Sequence, residues 1–545
     1  MELSEEKPAV AEILPNNVPN RLIVSFNGDT QTQMGFNWYT TDLAEDATVW
    51  VGTSEDLSDA VEFAAEATEV TSSYGERDEN GFFIFADVAY DEEGEVVLDE
   101  EGNPTINGYY TDENITTDNA AWMYGNVGSM DLVDVTEYAY KAIATELSPN
   151  TTYYYQVGSA EGERSEIGTF TTSGEAGEAF TFAHYTDTQN AYWNEHVRNE
   201  AAFGADTIEK ALETVEANFV LHTGDFVEVA EVEDEWIDIM EQSRDSFLQV
   251  PLAVAPGNHD EYALVYGDPQ VETKFNEHIN VPAANDAITG GSYYSYDYNG
   301  VHFVVGNTND NKSNGEALGE EQLAWIREDV ENARANGAEW VILAYHKPIF
   351  SKSYHSLQDS DVQAVREKFM EQIDDLDIDL ALQGHDHVIS ATYPLLFVPT
   401  DENFSNGVLE DVETTEVDGV TYYNNPEGTV FLLPNTGGTK EYDDIYSKGL
   451  EHMISVRPRL DWMTQEDVDY YNALFAYGNQ PQTSDAFETS HSNNRDSAIQ
   501  NFAVYTIEGN ELLVELYQIE GELLEGEERT VEMVYSFGIT KDAAE

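Results

Sequence analysis

With 545 residues, 41% of them apolar, the chain exceeds one comfortable hydrophobic core, and two or more domains are the default expectation. Its 107 acidic against 23 basic residues give a formal charge of −84, a field that argues against nucleic acid and anionic membranes as partners. No cysteine occurs, which excludes disulfides, thiolate zinc sites and cysteine nucleophiles, and no apolar run of about 18 residues is present to insert in a membrane.

The acidity is spread along the whole chain, so it reads as a solvated surface of the kind suited to concentrated salt, where charge repulsion is screened. Residues 1–18 form a polar, Pro-containing leader without the basic and apolar regions of a signal peptide. Stretches of this kind stand just after a removed signal, so a secreted or cell-surface location is expected.

From residue 19 to 175 the runs are short and alternating, as in RLIVSFNGD, QMGFNWYTT, ATVWVGTS and TTYYYQVGSAEGERSEIGTFTT, which predicts the strands of a β-sandwich. Leu147, Pro149, Thr151, Tyr153 and Val157 are spaced in a way that resembles the corner entering a late strand of fibronectin type III domains. The acidic, Gly-rich stretch at about 76–130 reads as an inserted hairpin or loop excursion. It lacks the regular ligand spacing of a calcium loop, so a solvated loop is the expectation.

From residue 178 onward the grammar is βαβ, with apolar strands such as FTFAHYTD, NFVLHTGD, GVHFVVGNTND and EWVILAYHKPIF alternating with helical runs such as ADTIEKALETVEA and LGEEQLAWIREDVENARANG. A helix over TQEDVDYYNALFAYG and three late strands are expected to close the same sheet, so that 178–545 forms one catalytic domain.

Polar knots sit at the carboxyl ends of the apolar strands, where sites form in open α/β sheets. They contain Asp187, then Gly224-Asp225, then Gly257-Asn258-His259, then His346, then Gly384-His385 and His387. Gathered on one edge, these carboxylates, imidazoles and one amide form an O/N ligand set that suits two Mn, Fe or Zn ions. Two aspartates against two divalent ions leave the centre positive, so it attracts phosphate despite the sign of the whole protein.

The order and spacing of the knots resemble the calcineurin-like metallophosphoesterase superfamily, and with a sandwich in front they look most like the purple acid phosphatases. That resemblance implies an α/β catalytic domain, a four-layer β-sandwich flanked by helices, behind an all-β fibronectin-like domain. It implies that Asp187, Asp225 and His387 hold one metal while Asp225, Asn258, His346 and His385 hold the other. It further implies hydrolysis of small phosphate monoesters by attack of a metal-bound hydroxide, the ions standing about 3.5–4 Å apart. His259 and, after it, His355 would face the substrate as proton donors to the leaving group.

There are departures from the family. Its purple members carry a tyrosine where this chain has Glu228, so no tyrosinate colour is expected. Gln189 stands where relatives have Gly or His, and either Gln189 or Glu228 remains open as a further ligand. His184, His196, His222, His278, His302, His452 and His491 are assigned to packing or surface, and Lys347 to an exposed position. The competing functions are a phosphodiesterase or nucleotidase on the same centre, and a non-catalytic surface-binding protein.

Overall fold

The strand Phe180–Tyr185 alternates between two sets of apolar partners. Phe180 and Phe182 enter a core shared with Phe219, Phe303, Ile342 and Leu382, whereas Ala183 and Tyr185 join Ile208, Trp236 and Ile239 on the opposite face. Trp340–Ala344 does the same in a second sheet: Ile342 and Ala344 point to the shared core, Val341 and Leu343 to Ile326, Val330 and Phe369. Burial on both faces is why these strands read as continuous apolar runs. In this computed structural model, which describes residues 3–111, 114–116, 128–265, 271–285, 291–480 and 495–542, the layers are therefore helix, sheet, sheet, helix, the α/β class expected.

In the first sheet Phe180–Tyr185, Phe219–His222 and Leu252–Val254 run parallel, and in the second Val301–Val305, Trp340–Ala344, Leu380–Leu382 and Val430–Pro434 do. The late strands Gln500–Glu508, Glu511–Glu520 and Thr530–Thr540 extend the first sheet beside Phe180–Tyr185. The helix expected over TQEDVDYYNALFAYG spans only Gln465–Ala473, opened by a Thr464–Asp467 capping box. Phe475–Asn479 is instead a strand paired with Ile389–Thr392, because that edge had hydrogen bonds to satisfy. The helix Ser360–Asp375 was not foreseen, although Val362, Val365, Phe369 and Ile373 mark its buried stripe.

The amino-terminal strands form two sheets around Phe36, Trp38, Val49, Tyr140, Tyr155 and Phe170. One of them is not separate from the catalytic sheet, since Asn20–Ser25 pairs in parallel with Leu252–Val254 and twelve strands share one hydrogen-bonded order. A buried ion cluster reinforces this join. Arg21 bonds Glu137 at 2.9 Å and also Glu233, and Glu233 takes His278 Nε2 at 2.7 Å and Lys274 Nζ at 3.3 Å. The segment at 76–130 contains the short pair Ala86–Val88 with Ile106–Tyr109; part of it, like His491, lies outside the described residues.

His302, on a buried strand, sits between Asp297 at 2.8 Å and Asp329 at 3.0 Å. Burial alone would lower its imidazole, but the two carboxylates outweigh this and raise it to about 9. Its folded value exceeds its unfolded one, so the stability it adds is complete below about pH 6.5 and is lost as pH rises through that folded value. Urea unfolding of wild type and His302→Gln should show a gap of about 2 kcal/mol at pH 6 that closes by about pH 10. A gap independent of pH would contradict this account.

Candidate metal centre

Each knot follows a parallel strand at its carboxyl end. Asp187, Asp225 and Asn258 follow Phe180–Tyr185, Phe219–His222 and Leu252–Val254 in one sheet, while His346 and His385 follow Trp340–Ala344 and Leu380–Leu382 in the other. The two edges lie at the same end of the stacked sheets. His346 Nδ1 therefore reaches across to donate to the Thr223 carbonyl at 2.8 Å.

Sharp turns bring the side chains together. Asp187, Gln189, Asp225 and His385 all adopt positive φ, at 54°, 36°, 57° and 71°, a conformation costly outside glycine and concentrated here. At Gly257 a Cβ would stand 2.1 Å from both the Asp225 amide nitrogen and its Oδ1, so only glycine lets these two turns meet. The Asp260 carboxylate accepts the Asp225, Phe226 and Gly257 N–H groups and ties the turns to each other.

His346 Nε2 lies 3.0 Å from Asp225 Oδ2 and 3.1 Å from Asn258 Oδ1. His387 Nε2 lies 3.2 Å from Asp187 Oδ1, and its Nδ1 is bonded to the Lys440 carbonyl at 2.6 Å. In both rings a backbone carbonyl holds the Nδ1 hydrogen, which turns Nε2 toward the carboxylates, the orientation found in metal-ligating histidines. Asp225, His346 and His385 present ligand atoms within 4.8 Å of one another.

Burial would lift the Asp225 carboxyl, but the His346 and His259 imidazoles outweigh it and hold it below the carboxylate range. Burial would lower His346, yet Asp225 dominates and raises it to about 9, so a positive charge, proton or metal ion, is favoured between them. His385 is pushed well down by burial and then by the neighbouring imidazoles, which favours a neutral ring with one nitrogen free as a lone-pair donor.

The test of fit for metal ions is the set of buried polar atoms without a hydrogen bond. Gln189 Oε1, both ring nitrogens of His385 and His387 Nε2 are buried and make none. Buried polar atoms are seldom left in this state, and carboxylate, imidazole and amide oxygen together suit Mn, Fe or Zn. The residues present therefore fit two ions.

Glu228 and Gln189 part company here. The Glu228 carboxylate is 3.2 Å from Lys440 Nζ and 3.1 Å from Arg495 Nη1. Burial would raise it, but His259, Lys440 and Arg495 hold it at about 2, so it is already committed to protein cations. The Gln189 amide nitrogen donates to Asp225 Oδ2 at 2.9 Å and its oxygen is left over.

The two histidines expected to face the substrate lie beside the cluster. His259 donates its backbone N–H to Asp225 Oδ1 at 2.9 Å, and its Nδ1 bonds the Glu228 carbonyl at 2.7 Å. His355 bonds Asp386 through Nδ1 and lies with its ring 4.0 Å from that of His385. Lys347 is not the exposed lysine expected: it is largely buried and paired with Asp361 at 2.6 Å, because the first turn of the helix Ser360–Asp375 folds back beside it. His184 and His222 are buried among apolar strands, and His196, His278, His302 and His452 bond backbone or carboxylate partners. Lys440, Tyr442 and Arg495 were not foreseen. They come from far along the chain, and only Asp260 and Asp386 were visible inside the knots.

The chain matches two family models: "Calcineurin-like phosphoesterase" over residues 180–389 and "Purple acid Phosphatase, N-terminal domain" over residues 19–172. Among curated proteins it is 27% identical over 284 residues to "Probable inactive purple acid phosphatase 9" of Arabidopsis thaliana, covering 46% of this chain and 42% of that one. It is 22% identical to "Acid phosphatase" of Aspergillus ficuum, covering 58% of this chain and 68% of that one. The match to the Arabidopsis relative thus spans less than half of that protein's length.

Two solved structures share the fold. The purple acid phosphatase PPD1 from yellow lupin (Lupinus luteus) seeds has a TM-score of 0.58 at 16% identity, over 97% of this chain and 75% of the other. PhoD has a TM-score of 0.53 at 12% identity, over 98% and 92%. Residues 180–389 thus carry a calcineurin-like phosphoesterase domain and residues 19–172 a purple acid phosphatase N-terminal domain, on a fold shared with the lupin purple acid phosphatase PPD1.

Proposed function

We propose that the protein is a binuclear metal-dependent phosphatase that releases inorganic phosphate from small phosphate monoesters. The observation that carries this reading is the group of buried polar atoms that make no hydrogen bond, Gln189 Oε1, His385 Nδ1 and Nε2, and His387 Nε2, near Asp187, Asp225 and His346. In this reading Asp187, Asp225 and His387 hold one ion, with Gln189 Oε1 available to it, and Asp225, Asn258, His346 and His385 hold the other. When bound, Fe, Mn or Zn ions supply Lewis acidity, lowering the pKa of water and neutralising phosphate charge.

The chain's own groups do the rest. Asp225 is shared between the two ligand sets, and the Nδ1 bonds of His346 and His387 keep their rings aimed without reorganisation. As the water oxygen bonds to phosphorus and the ester P–O bond breaks, the leaving oxygen needs a proton. In this reading His259, held by the Glu228 carbonyl, gives it, with His355, held by Asp386, as the second candidate. With Glu228 ion-paired at the position where purple members carry tyrosine, the metal-loaded protein should be colourless. A secreted or cell-surface location belongs to this proposal.

Protein loaded with Mn, Fe or Zn should contain about two ions per chain and release phosphate from phenyl phosphate. Faster turnover of a bis-aryl phosphate would favour the phosphodiesterase reading instead. Fewer than about one ion per chain would leave a non-catalytic binding protein.

A further inference from the structure

In a chain with 107 acidic and 23 basic residues, most lysines and arginines are tied to carboxylates. Arg457 is an exception beside the metal centre. Among the described residues its guanidinium forms no ion pair and no hydrogen bond, and its Nε is buried without a partner. Asp386 and Asp359 are near enough to feel its charge, but Asp386 is already bonded to Ser351 and His355.

Its position is set by a column of mutually tilted rings that ends at the proposed ligands. The Arg457 guanidinium carbon lies 3.2 Å from the centre of the Tyr354 ring, Tyr354 lies 3.8 Å from His355, and His355 lies 4.0 Å from His385. Tyr442 packs beside the same column, 5.4 Å from His355 and 4.5 Å from His387. Arg457 itself stands between the helix Leu450–Val456 and the turn Pro458–Leu460, outside the phosphoesterase-matched residues 180–389, with its N–H bonded to the Met453 carbonyl at 2.8 Å. An arginine fixed by an aromatic face, with donors unspent, is a ready fork for a phosphate or carboxylate. A buried donor without an acceptor costs stability unless a ligand supplies one.

We propose that Arg457 receives a second anionic group on the substrate, a phosphate or a carboxylate a few bonds from the phosphate being released. This rests on the phosphatase reading and narrows its substrates to doubly anionic organic phosphates. Arg457 acts on recognition, so its effect belongs chiefly in KM.

The test compares metal-loaded wild type, Arg457→Gln and Arg457→Lys on phenyl phosphate, adenosine 5′-diphosphate and 3-phosphoglycerate. Arg457→Gln is expected to lose about tenfold or more in kcat/KM on at least one doubly anionic substrate, through KM, and about threefold or less on phenyl phosphate. Arg457→Lys should recover part of the loss, since it restores charge without the fork. A selective loss on the diphosphate identifies a second phosphate as the recognised group, and one on 3-phosphoglycerate a carboxylate. The same fold-change on all three substrates would overturn the subsite and leave the phosphatase reading standing. Hydrolysis of none of them by the wild type would overturn that reading, and the subsite with it.

Discussion

Asp225→Ala is expected to lower kcat/KM for phenyl phosphate by at least about 10³-fold and to leave one metal ion per chain or none. Asp225 touches three parts of the centre: His346 Nε2 at 3.0 Å, the Gln189 amide at 2.9 Å and the His259 N–H at 2.9 Å. Removing it takes a shared ligand from both proposed ion positions and releases the backbone that holds His259. Initial rates and elemental analysis of the purified variant measure both effects. Full turnover with two ions still bound would sink the proposed ligand set.

Glu233→Leu should destabilise the fold by about 3–5 kcal/mol, because it strands a buried cation cluster. Arg21, Lys274 and His278 all converge on Glu233, which is itself fully buried, and Glu137 is the other carboxylate paired with the Arg21 side chain among the described residues. Burial would raise the Glu233 carboxyl, but His278, Lys274 and Arg21 outweigh it and hold it well below the usual range. Its folded value is depressed, so its contribution is complete above about pH 4.5 and is lost as pH falls toward the folded value. Urea unfolding at neutral pH and at about pH 3 should show the gap between wild type and variant narrowing in acid. A variant as stable as wild type at neutral pH would mean the cluster is neutral to stability. Such an outcome is known for some buried ion pairs replaced by apolar side chains.

The join that this cluster secures has a consequence for how the two halves behave. Parallel pairing of Asn20–Ser25 with Leu252–Val254 places the N-terminal sandwich directly beside the strand that leads to Asn258. Movement of the sandwich would drag on that strand, so the N-terminal half supports the geometry of the centre.

Much of the site was legible in the residue order. The knots at Asp187, Asp225, Asn258, His346 and His385 could be read because each follows an apolar run, and a strand buried on both faces has no polar interruptions to blur its end. Helices were less visible where charge hid the stripe, as in Ser360–Asp375. The strand Phe475–Asn479 was mistaken for helix because a short aromatic run fits either period until a partner edge appears.

From the order of residues alone came the candidate metal ligands, the βαβ grammar, the two-part layout and the acidic composition, since these depend on local pattern and composition. Three-dimensional packing decided that Glu228 answers to Lys440 and Arg495, that the Gln189 oxygen is left over, that Arg457 stands stacked on Tyr354 beside His355, and that the two halves share a sheet. Those facts depend on which distant segments meet, and a pairing between residues hundreds of positions apart leaves no periodic mark on either segment.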